Sequence, residues 1–151
     1  MIAAAKVIGP GYSGIGTTLS GNALSLAAMR VMLEDVMTKP AYEHMLAGAA
    51  RLVEGLDRVI AKHQLAWSAV QIGARVELVF ASPAPKNARQ MRAALDHDLL
   101  EALHLYLINR GVLIAPFHNM MLVSPVTTDA QIDRLIDAID AFALALESSP
   151  K

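Results

Sequence analysis

The chain has 151 residues, of which 54% are apolar and 18% charged, with a formal net charge of −1 and no cysteine. That length suits one ordinary domain, or a small domain plus a piece of another, and the apolar surplus leaves surface for a partner to cover. The near-neutral balance supplies no basic field for nucleic acid or anionic membrane, the missing thiols exclude disulfides and thiolate metal sites, and no apolar run approaches the roughly 18 residues of a membrane span.

Met1 to Ile8 is too short and too weakly apolar for a secretory signal, so a cytoplasmic protein is the expectation. Ile2 to Ile8 reads as a short strand or a helix end, stopped by Gly9-Pro10-Gly11. Gly9, Gly11 and Gly14 spell G-x-G-x-x-G, but a dinucleotide fingerprint needs its helix to open within the motif and a second parallel strand soon after. Here the helical pattern opens only near Asn22, and Glu34, at the distance of the ribose-binding acid, falls inside a helix.

Gly14-Ile15-Gly16-Thr17-Thr18-Leu19-Ser20-Gly21-Asn22 reads either as a loop that leads into a helix or as an anion site. The glycines permit close backbone approach, Thr17, Thr18 and Ser20 carry hydroxyls, and Asn22 is a good N-cap. A phosphate suits such a place. From Ala23 to Met37 the pattern is helical, and Thr38-Lys39-Pro40 breaks it, with Thr38 able to cap a second helix. Tyr42, Met45, Leu46, Ala49, Leu52, Val53, Leu56, Val59 and Ile60 then form a stripe running to about His63. A domain boundary is expected near Lys39, giving units of residues 1–38 and 39–151.

Beyond His63 the period becomes two. Trp67 to Ile72 and Arg75 to Ala81 read as an antiparallel strand pair around Gly73-Ala74, with Arg75, Glu77 and Val79 on one face and Val76, Leu78 and Phe80 on the other. Asn87 caps a third helix, Ala88 to Asn109, stopped by Gly111 and burying Met91, Leu95, Leu99, Leu103, Tyr106 and Leu107. Gly111 to Pro116 and Met120 to Ser124 read as two further strands. Thr128-Asp129-Ala130-Gln131 is a capping box for a last helix that buries Ile132, Leu135, Ile136, Ile139, Phe142 and Leu146 and leaves Asp133, Asp137 and Asp140 to solvent. Helix, strand pair, helix, strand pair, helix predicts an α+β fold, an antiparallel sheet with helices packed on one face.

Two segments carry a family resemblance. Gly16-Thr17-Thr18-Leu19-Ser20-Gly21-Asn22-Ala23-Leu24 resembles the G-T-x-S-G-N-P-L segment of class III pyridoxal-phosphate (PLP) aminotransferases, with Ala23 in place of the family's proline. Asn109-Arg110-Gly111-Val112-Leu113-Ile114-Ala115-Pro116 is similar to the R-G-V-x-x-x-P segment of glutamate-1-semialdehyde aminomutases and D-phenylglycine aminotransferase-like proteins. The resemblance implies that Thr18, supported by Thr17, holds the phosphate of PLP from the neighbouring subunit of a dimer, and that residues 39–151 are the small C-terminal domain of a fold-type I enzyme. It implies an amino-acid substrate, with His118 and Asn119 facing it. The aminomutases carry a glutamate in that turn, within a run about one residue longer, and this chain has none.

The same resemblance expects a coenzyme-bearing lysine roughly thirty residues before the phosphate threonine. Lys6 is far too close to Thr18 and lacks the glycine-rich turn that follows such a lysine. The chain therefore reads as the C-terminal portion of an aminotransferase or aminomutase, truncated and inactive alone, with no catalytic residue of its own. The rival reading is a non-catalytic α+β oligomerisation module with an anion-binding loop. Arg75 reads as a carboxylate clamp or as half of an exposed cross-strand pair. His97, Glu101 and His104, at helical spacing, read as surface residues and not as a metal site.

Overall fold

A computed structural model describes residues 21–115 and 119–148. The chain divides between Thr38 and Lys39 into two compact units. In the described part of the first, helix α1 (Ala23–Val31) is capped by Asn22, whose side chain accepts from the Ser25 amide. It continues as a π-helical turn, Met32–Val36, where the sequence predicted regular α-helix. The widened turn ends in a bond from Met37 N to Met32 O of 2.8 Å. Residues 23–36 are all exposed, among them Leu24, Leu26, Met29 and Leu33.

In the second unit helix α2 (Lys39–Lys62) leads to strands β1 (Ser68–Ile72) and β2 (Arg75–Val79), short helix α3 (Ala88–Ala93), helix α4 (His97–Ile108), strand β3 (Met120–Leu122) and helix α5 (Asp129–Glu147). The sheet is antiparallel in the order β1-β2-β3. Ile72 pairs with Arg75 across the two-residue turn, and Gly73 takes φ +62°, the left-handed first position that a tight hairpin requires of glycine. Helix α2 lies against β1 and β2, α5 packs on α2, and α4 on α5. Leu52 and Leu56 of α2, Val76 and Leu78 of β2, Leu103 and Leu107 of α4 and Ile139 of α5 are the largest fully buried side chains.

Several sequence expectations change here. The long third helix is two helices, because Asp96 accepts from the Leu99 amide and starts a new one after Ala94. Residues 111–115 form no strand. Gly111 N to Ile108 O and Val112 N to Leu107 O close the end of α4 in a Schellman arrangement with Gly111 at φ +70°, and Ala115 N to Met120 O, 3.1 Å, is the bond that joins the segment to β3. The capping box of Thr128 and Gln131 is present. Ile136 and Leu146 are half-buried, while Ala138 and Ala143 complete the buried stripe of α5.

Of the three aspartates expected to face solvent, Asp137 is exposed, while Asp133 and Asp140 are partly covered and paired with side chains of α2. Arg51 makes a bidentate pair with Asp133, Nη2 lying 2.8 Å from each carboxylate oxygen, and Lys62 Nζ lies 2.7 Å from Asp140 Oδ2. His63, just past the end of α2, is buried between Glu147 (Nδ1 to Oε1, 2.8 Å) and Asp140 (Nε2 to Oδ1, 2.9 Å). Bonds from both ring nitrogens to carboxylates describe an imidazolium. The bond to Glu147, then that to Asp140, hold the His63 pKa above its ordinary 6.5. Lys62, then His63, hold Asp140 below its ordinary 3.8. These charges tie α2 to α5.

Candidate functional site

Thr17, Thr18 and His118 lie outside the described residues. What is described next in the sequence is the start of α1. Asn22, at φ −68° and ψ 152°, directs Oδ1 to the Ser25 amide at 2.9 Å and Nδ2 to Ser25 Oγ at 2.9 Å. The first turn of α1 contains no acidic residue. The positive end of the helix dipole is thus not neutralised by a carboxylate of its own first turn.

The second place is the chain between α4 and β3. Its near end is fixed at Gly111, where Arg134 Nη2 donates to Arg110 O at 2.6 Å and the Arg110 guanidinium lies 3.3 Å from the centre of the Tyr106 ring. Its far end is fixed at Asn119, which is 3% exposed and at φ +45°. Asn119 Nδ2 donates to Leu78 O at 3.3 Å, and Leu78 N donates to Asn119 O at 3.4 Å, so both halves of the residue are clasped to β2. Asparagine tolerates left-handed backbone better than other residues with a side chain. Beside this segment lies an open apolar cavity of about 450 Å³, lined by Leu113, Ile114, Ala115, Met120, Met121, Leu122 and Leu135.

Arg75 has a partner that the sequence reading did not identify. The bond is not cross-strand but along β2: Arg75 Nη2 donates to Glu77 Oε2 at 2.7 Å. The signal was available, since residues two apart on a strand share a face. Among the described residues no three His, Asp or Glu side chains converge as a metal site, and no helix is long and apolar enough to cross a membrane.

No family model matches the chain. Among curated proteins it is 34% identical over 122 residues to glutamate-1-semialdehyde 2,1-aminomutase 2 of Brevibacillus brevis, a match covering 80% of this chain and 28% of that protein. It is 31% identical over 128 residues to the glutamate-1-semialdehyde 2,1-aminomutase of Laribacter hongkongensis, covering 83% of this chain and 30% of the relative. Among solved structures, a glutamate-1-semialdehyde aminomutase from Pseudomonas aeruginosa PAO1 superposes with a TM-score of 0.83 at 40% identity, over 95% of this chain and 32% of that one. A β-phenylalanine aminotransferase from Variovorax paradoxus shares the fold, with a TM-score of 0.74 at 22% identity, over 98% of this chain and 34% of its own. The chain thus spans about three tenths of the length of the relatives it matches. Sequence and fold together make it a segment of the class III aminotransferase family, whose cofactor is PLP.

Proposed function

We propose that this chain is the phosphate-gripping edge and small domain of an enzyme that moves an amino group between an amino acid and an oxo acid or aldehyde. The observation that carries the reading is the agreement of sequence and fold with an aminomutase at 40% identity and a TM-score of 0.83. In this reading residues 1–38 belong to the large coenzyme-binding domain and residues 39–151 are the small domain. PLP, when bound, supplies the electron sink that amino-group exchange requires.

The chain's own part is to bind and orient. Thr18, with Thr17 beside it, donates to the coenzyme phosphate across a dimer interface, and the start of α1 adds its dipole. Exposed Leu24, Leu26 and Met29 on α1 and Leu33 in the π-helical turn support burial of that segment in a larger assembly. His118 borders the substrate, and Asn119, clasped to Leu78, fixes where the turn that carries it lies. No lysine in this chain stands where the family's coenzyme-bearing amine would, so the chain alone transfers no amino group.

The test is a titration of the 151-residue protein with PLP, followed by borohydride reduction and peptide mapping. The expected result is phosphate-dependent binding that pyridoxal does not reproduce and that Thr18→Val weakens about tenfold, the loss of one charge-assisted hydrogen bond. No amino-group transfer and no stoichiometric pyridoxyl-lysine should be found. One stoichiometric pyridoxyl-lysine with turnover would overturn the inactive-segment reading; binding indifferent to Thr18 would overturn the phosphate assignment.

A further inference from the structure

The register of the sheet places a charged pair inside an apolar frame on the face opposite Val76 and Leu78. Arg75 stands between Ile72 of β1 and Leu122 of β3, and Glu77 between Val70 and Met120. Cross-strand neighbours of this kind lie about 5 Å apart, so four apolar side chains border two charges. Arg75 and Glu77 side chains are 44% and 17% exposed, which leaves the pair reachable but partly screened from water. The loop after β2 and the start of α3 lap over the same face. With Pro85, Asn87 and Met91 they complete a cavity of about 390 Å³ whose floor is Val70, Arg75, Glu77 and Val79. Small-molecule pockets begin at about 300 Å³.

We propose that this cavity binds a zwitterionic α-amino acid with an apolar side chain. Among the described residues, the bond from Arg75 Nη2 to Glu77 Oε2 is the one side-chain hydrogen bond either residue makes. Nε and Nη1 of Arg75 and Oε1 of Glu77, on two residues that line the cavity, are therefore still able to donate or accept. The ligand carboxylate takes the arginine donors and its ammonium takes the glutamate oxygen, while its side chain rests on Val70, Val79 and Met91. Charge sign selects the ligand. Glu77 repels a simple carboxylate, Arg75 repels a simple amine, and a molecule that carries both charged groups on one carbon meets both. Because Glu77 already holds the guanidinium in place, little side-chain freedom is lost on binding. The inference uses residues of the second unit alone and does not depend on how the coenzyme is held.

The experiment is an NMR titration of the 151-residue protein, without PLP, using L-leucine, 4-methylpentanoate and 3-methylbutylamine as probes. Leucine should shift the amide signals of Val70, Arg75, Glu77, Val79 and Met91 saturably, and each singly charged analogue should bind at least about tenfold more weakly. Arg75→Gln, at the more exposed position, should weaken leucine to the same degree while leaving the rest of the spectrum unchanged; Glu77→Gln is the second arm. Thr18→Val should leave leucine binding intact, which separates failure here from failure of the coenzyme reading. Equal binding of the three probes, shifts that map elsewhere, or an Arg75→Gln protein that binds leucine normally would overturn the proposal.

Discussion

The two faces of the three-stranded sheet are finished in opposite ways. On the inner face Val76, Leu78 and Met121 are buried, whereas on the outer face Ile72 is 74% and Leu122 67% exposed around the Arg75–Glu77 pair. Both faces come from one alternating pattern, so the difference is not in local propensity but in what covers each. Stability is concentrated in the inner face, whereas the outer face is covered only toward Val79 and stays open around Ile72 and Leu122.

That contrast can be broken at its strong side first. Leu78→Ala removes a fully buried side chain at the centre of the sheet and should cost about 2–5 kcal/mol, read as a lower urea midpoint with an unchanged slope. A loss below about 1 kcal/mol would mean that the inner face is not the core.

The helices covering that face should loosen with pH. His63 has a raised pKa, so its contribution is complete below 6.5 and is lost as pH climbs through the higher folded value. Asp140 has a lowered one, so its contribution is complete above 3.8 and is lost as pH falls through the lower folded value. Both are complete between 3.8 and 6.5. The melting temperature of the wild type over that of His63→Gln should therefore be largest near pH 5.5 and shrink toward pH 9; a constant gap would show that the ring acts by packing alone. The outer face gives the smallest effect: Leu122→Ser should move stability by no more than about 0.5 kcal/mol while reducing self-association at high concentration, checked by denaturation and light scattering.

What the sequence disclosed follows the same division. The hairpin around Gly73 and the capping box at Thr128 are local patterns and both are present, as is the stripe of α2 from Met45 to Val59, although Tyr42 and Leu46 are exposed. The break at Asp96 was hidden because the apolar spacing of Met91, Leu95 and Leu99 runs straight through it. An N-cap overrode that periodicity. Residues 111–115 looked like a strand for the same kind of reason, since Val112, Leu113 and Ile114 are β-formers, but the Schellman closure sets their course. The ties from Asp133 and Asp140 to α2 join residues about eighty apart, beyond any window that spacing can read. For the candidate site, the two landmark segments stood out by resemblance and the pairing of Arg75 with Glu77 lay within reach of their two-residue spacing, whereas the burial of Asn119 required the fold.

Gly111 and Asn119 act as two pegs, one locked to α5 through Arg134 and the other to β2 through Leu78. The two ends of the segment thus take their positions from different elements, so a change that loosens one anchorage leaves the other in place.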